Sequence, residues 1–191
     1  MELLTNIALG IALSACCGFR VFIPLLAGAL AGHFHIFSLP ADMQWLASWP
    51  AIICFGTAAI AEVAAYYIPF IDNLLDTIAT PLSVAAGTVL ATSFLPLTDL
   101  DPLLRWGTGL LAGGSSARVI HIGAGLLRLF SSKATVGTGN AIVSTTENAA
   151  AISGSILSFI IPVIVAVVLL FLIVWIVVKL TRRLVLRKRK V

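Results

Sequence analysis

Charge is what this chain has least of. Only 10% of its 191 residues are charged, against roughly 25% in an ordinary soluble domain. Eight acids and twelve bases cannot clothe a water-facing surface, which excludes a conventional soluble fold. Hydrophobic residues make up 60% of the chain, in long runs of Leu, Ala, Ile and Gly that lack the alternation of barrel strands. Backbone groups in lipid must bond internally, so continuous apolar runs point to helices. The expected fold class is all-α: a polytopic transmembrane bundle.

Cysteine is nearly missing too. Cys16, Cys17 and Cys54 each lie inside an apolar run, with no spaced His or Cys partners for zinc, so they read as small packing residues. No metal and no cofactor is expected. Leu13-Ser14-Ala15-Cys16 resembles a lipoprotein cleavage box, but Glu2 and the absence of Lys or Arg before it argue against a signal peptide. Gly113-Gly114-Ser115-Ser116 is followed by no Gly-Lys-Ser/Thr, so it is no phosphate loop, although such a break could offer helix-end amides to an anion. Gly137-Thr138-Gly139-Asn140 falls short of a dinucleotide fingerprint. No Ser/His/Asp or Cys/His set stands out, so an enzyme is not expected.

What is present can be followed along the chain. Residues 3–32 are apolar but interrupted by Cys17-Gly18-Phe19-Arg20 and Pro24; this is too long for one upright span and predicts a broken helix or a re-entrant pair. Residues 33–49 hold Asp42, Trp45 and Trp49, the composition of an interfacial loop or short surface helix. A second span is expected over 50–69, with Glu62 inside it, and a polar turn over 71–76 containing Asp72 and Asp76. A third span follows over 77–97, then an acidic turn with Asp99 and Asp101. Pro102 suits the first turn of the next helix, expected over 103–130 and broken near Gly113. Residues 131–139 read as a polar link with Lys133. Residues 140–178 read as two helices or one kinked helix, the first part carrying Asn140, Glu147, Asn148 and many small residues.

Seven of the twelve basic residues crowd into the tail 179–191. This reads as a positive-inside anchor near anionic headgroups rather than a nucleic-acid patch. Counting 140–178 as two helices gives about six segments in a single transmembrane domain, residues 1–180, and the charge bias then places both termini in the cytoplasm of a bacterial inner membrane. Residues 3–97 and 103–178 are weakly alike, each with an arginine after a small-residue break and then a glutamate. That predicts an inverted 3+3 repeat of the kind found in secondary transporters.

An ionisable group near the bilayer centre costs at least roughly 2.5–3.5 kcal/mol, so it normally faces a partner or a wet cavity. The candidate substrate- or ion-binding residues are Arg20, Glu62, Arg118, His121 and Glu147, with Asp72, Asp76 and Asn140 nearer the ends. Arginine favours carboxylate partners, which gives Arg20–Glu62 and Arg118–Glu147, or the crossed pairs. His121 alone reads as a hydrogen-bonded structural residue. These residues point to a small-solute or ion transporter or channel, with lipid binding or flipping and a non-catalytic membrane scaffold as rivals. The expected partners are the bilayer and a small solute, ion or lipid headgroup, without nucleic acid. A homodimer fits a chain of 20.1 kDa.

Three stretches carry a family resemblance: Gly18-Phe19-Arg20-Val21-Phe22-Ile23-Pro24; Asp72-Asn73-Leu74-Leu75-Asp76-Thr77 through Pro81; and Gly139-Asn140 through Thr146-Glu147. Together they resemble the mainly bacterial membrane family called domain of unknown function 4126. The resemblance implies that Arg20, Asp72, Asp76, Asn140 and Glu147 belong to the family's pattern. It implies no activity. The family often has a Glu-Asp pair where this chain has Glu147-Asn148.

Overall fold

The computed structural model describes residues 2–96, 100–135 and 139–188, without the side chains of residues 2, 69–74, 76, 132–135 and 183–188. These residues form eight α-helices and no strand: α1 Glu2–Cys16, α2 Phe22–His33, α3 Trp49–Ala65, α4 Pro69–Phe94, α5 Pro102–Gly109, α6 Ser115–Thr135, α7 Asn140–Ile160 and α8 Pro162–Lys188. A 3-10 helix, Ala41–Ala47, precedes α3. Prolines open α4, α5 and α8, where a missing N–H costs nothing. Ser48 caps α3 by accepting the Ala51 N–H at 3.3 Å.

Three helical stretches are long and apolar enough to cross a membrane: Thr77–Phe94, Pro102–Ser131 and Pro162–Arg182. A fourth arises if the 3-10 helix and α3, bent by 53°, count as one span. The stretch 140–178 is two helices, separated at Ile161. Trp45 and Trp49 are exposed around the 3-10 helix, in the loop expected to be interfacial. The polar segment 71–76 is no turn: its backbone belongs to α4. The side chains of Asp72 and Asp76 lie outside the described residues.

The break expected near Gly113 is not a break either. Residues Leu110–Gly114 form one π-helical stretch, so α5 and α6 run on as a single rod. The small residues there let α4 approach closely, since a Cβ on Gly87 would sit 2.7 Å from the Gly113 carbonyl. The hydroxyls of Ser115 and Ser116 donate back to the Leu111 and Ala112 carbonyls, and no helix end is left open for an anion.

The first two helices settle the topology. Gly10 packs against Leu95, and Ser14 donates to the Gly87 carbonyl at 2.8 Å, so α1 runs antiparallel to α4. α2 then turns back: Gly28 lies against Leu90 and Phe94, and Phe37 beyond its end meets Phe94. α1 and α2 therefore form a helical hairpin whose two open ends both lie at the Leu95 end of the bundle. Cys16 meets Gly154 and Arg20 meets Asn148, so α1 runs antiparallel to α7; α8 folds back along α7, with Ile142 and Lys179 lining one cavity, and so runs parallel to α1. The start of α1 thus lies at the opposite end from Lys188, which corrects the expectation of both termini on one side. It also separates the two halves of the chain. The first half opens on a hairpin and the second on a continuous rod, so an inverted six-segment repeat is not what these helices display.

α7 shows how a weakly apolar helix finds its place. Its buried residues Ser144, Glu147, Asn148, Ala151, Ser155 and Ser158 recur every three or four positions along one face. Small and polar groups point inward and Ile142, Ile152, Ile156 and Ile160 point outward, the reverse of a water-soluble amphipathic helix. α8 is apolar nearly all round, and only 22% of its spanning window is buried.

Candidate functional site

A buried hairpin tip must satisfy its own backbone. At Cys17–Phe22 the chain leaves the helical ladder inside the protein, and each orphan group would cost roughly 1–3 kcal/mol unpaired. The Gly18 and Phe19 amides bond back to the Ala15 and Cys16 carbonyls at 2.9 and 3.0 Å. The Val21 and Phe22 amides, at the start of α2, donate to the two carboxylate oxygens of Glu62 at 2.9 and 3.0 Å. His121 Nδ1 lies 3.3 Å from the Gly18 carbonyl, the hydrogen-bonding part expected of it. A Cβ on Gly18 would come within 2.5 Å of Ile120 Cβ, so only glycine lets the tip rest on α6.

Arg20 projects from this tip and is 1% exposed. Its Nε donates to Asn148 Oδ1 at 2.5 Å, one terminal nitrogen to Glu147 at 3.0 Å, and the other to the Ser144 carbonyl at 3.2 Å. Its guanidinium carbon stands 3.8 Å from the centre of the Tyr66 ring. Arg128 approaches the same ring at 4.5 Å and grips Glu147 with two bonds, Nε to Oε1 at 3.1 Å and a terminal nitrogen to Oε2. Two guanidiniums therefore share one carboxylate and one aromatic ring, and the Glu147 Oε2 atom receives both. Tyr67 hydroxyl touches Thr145 at 3.0 Å and Asn148 at 3.4 Å, which closes the cluster towards α7.

Of the two pairings expected, the crossed one is found for Arg20 and neither for Arg118. Arg20 crosses to Glu147, while Glu62 serves backbone amides. Arg118 is exposed and takes no part; Arg128, outside the candidate set, is the second arginine of the cluster. The reason is hairpin register. α6 ends at Thr135 and α7 begins at Asn140, so residues equidistant from that short link face one another. Glu147 is seven residues beyond Asn140 and Arg128 seven before Thr135, whereas Arg118 sits roughly 15 Å further along α6 at 1.5 Å per residue. With the helix expected to end at residue 130, a count outwards from the link misses Arg128; counted from the α6 end at Thr135, it finds it. Tyr66 and Ser144 carried no signal of their own. Asn140 opens α7, about two turns from Glu147.

With Glu62 included, the buried charges of this cluster are two positive and two negative. Such a network is expensive to desolvate and worth keeping only when every member is bonded. Here the described contacts occupy every nitrogen of Arg20 and both oxygens of each glutamate. Ser144 is the exception, its buried hydroxyl having no partner.

Apolar helices suited to a membrane, a helical hairpin and an arginine-clamped carboxylate define an all-helical protein of membrane-spanning character with a charged interior. The chain belongs to the family described as domain of unknown function (DUF4126), which it matches over residues 7–182. This agrees with the resemblance carried by the stretches around Arg20, Asp72 and Glu147. No curated protein and no solved structure matches the chain.

Proposed function

We propose that this protein moves a small anion across the bacterial cytoplasmic membrane, with the basic end of α8 on the cytoplasmic side. One observation carries the reading: Arg20 and Arg128 converge on the same carboxylate oxygen of Glu147. Paired guanidiniums around one oxygen are a recognition geometry for carboxylate or phosphate. Glu147 would act as a tethered stand-in for the substrate, holding the site while no anion is bound.

Arg20 rides on a hairpin that enters from the far end, and Glu147 and Arg128 stand on helices that run to the basic end. A shift of the hairpin tip would exchange Glu147 for a substrate anion at the two arginines. Non-helical backbone at membrane depth is tolerated where it lines such a site. The positive-inside bias of the 179–191 tail supports the orientation.

The test is anion uptake into proteoliposomes, using chloride, inorganic phosphate and small carboxylates. Wild type should carry at least one of them, and folded Arg20→Gln and Arg128→Gln proteins should lose that flux at least tenfold. Flux equal to empty liposomes for the whole panel in wild type would remove the transport reading and favour a scaffold whose ion pairs only hold helices together.

A further inference from the structure

A second site lies beside the charged cluster, and it calls for different chemistry. Between α6, α7 and α8 runs a cavity of about 310 Å³, at the small end of ligand-sized pockets. Ile120, Leu127, Ile142, Ala150, Leu172 and Ile176 are among the apolar residues of its wall. It spans residues 120–130 of α6 and 172–180 of α8, roughly 12–15 Å along the helices. A helix with its side chains is about 10–12 Å across and cannot enter so small a space. A hydrocarbon chain can.

The end of the cavity is charged. Lys179 lines it, its ammonium held 4.3 Å above the ring of Trp175, which lines it as well. Tryptophan and lysine together mark headgroup depth, and Lys179 opens the basic tail, with Arg182 exposed one turn further on. Most of the spanning part of α8 faces outward, so the cavity mouth meets lipid rather than water. We infer that this cavity holds one acyl chain of an anionic phospholipid, with the lipid phosphate against Lys179. Glu147 of the charged cluster also lines the cavity, so the inference differs from anion transport in its ligand and in its use of Lys179 rather than the arginines.

The experiment is photolabelling of the full chain in nanodiscs that contain phosphatidylglycerol or phosphatidylcholine with a diazirine on the acyl chain. Labelled peptides should fall within 120–130, 142–150 and 172–180, and phosphatidylglycerol should label them at least fivefold more strongly. Lys179→Gln should abolish that preference. Leu127→Trp, at a position 61% exposed and therefore safe for folding, should fill the cavity and cut labelling at least fivefold. Leu111→Trp, on an outward position away from the cavity, should label as wild type does. Equal labelling by both lipids in wild type would overturn the proposal. So would labels spread evenly over all outward faces.

Discussion

Arg20 and Glu147, 127 residues apart in sequence, meet at 3.0 Å in the interior. That contact ties the tip of the α1–α2 hairpin to α7, and Arg128 ties the same carboxylate to α6. Three elements are thus referenced to one side chain.

Glu147→Gln is the most damaging single change expected in this cluster. It leaves two buried guanidiniums sharing a neutral amide, and breaking a buried pair costs about 3–5 kcal/mol. Arg128→Gln should cost less, because Arg20 still neutralises Glu147. Reversible unfolding in mixed micelles should rank the variants in that order. Equal stability would mean the cluster is not a coupled network.

Asn148→Asp should be tolerated. Asn148 already accepts the Arg20 Nε–H, and a carboxylate in its place would strengthen that bond and restore the acid pair common in the family. The variant should purify in wild-type yield with an unchanged or higher melting temperature. A collapse in yield would indicate that one more negative charge is unaffordable there.

Gly87→Val tests the seam between α4 and the π-helical stretch. A Cβ at residue 87 already falls 2.7 Å from the Gly113 carbonyl and 2.9 Å from Ala117, so the helices must part. Overpacking of this kind costs about 1–3 kcal/mol. A loss of that size should appear as earlier unfolding, while Gly107→Val, at a position open to space, should be nearly silent.

The hairpin topology predicts a labelling pattern. In a background without native cysteines, Leu4→Cys, His35→Cys and Asp101→Cys should react with an impermeant maleimide from one side of the membrane. Arg182→Cys should react from the other. Labelling of Leu4→Cys and Arg182→Cys from the same side would refute the hairpin arrangement.

Asp42 and Arg105 form a bridge of 2.8 Å at the far end of the bundle. The Asp42 side chain is half exposed, so Asp42→Asn should cost no more than about 1 kcal/mol and less at high salt. A denaturation series at low and high ionic strength checks this.

What the sequence determined by itself is the solvent and the parts. Too few charges for a water-facing surface, apolar runs of spanning length and prolines at helix starts settle the helical class without any neighbour being known, because they act through local backbone chemistry and burial. The interruption at Cys17–Arg20 was legible as well, although the similar signature around Gly113 and Arg118 proved to be continuous helix. Tertiary structure decided which charges meet. Glu147 faces Arg128 because a short α6–α7 link fixes the hairpin register, and Arg20 reaches both because the chain turns back after α1 inside the bundle. Whether an apolar helix crosses or returns depends on what receives its tip. Here Glu62 and His121, from distant parts of the chain, receive it.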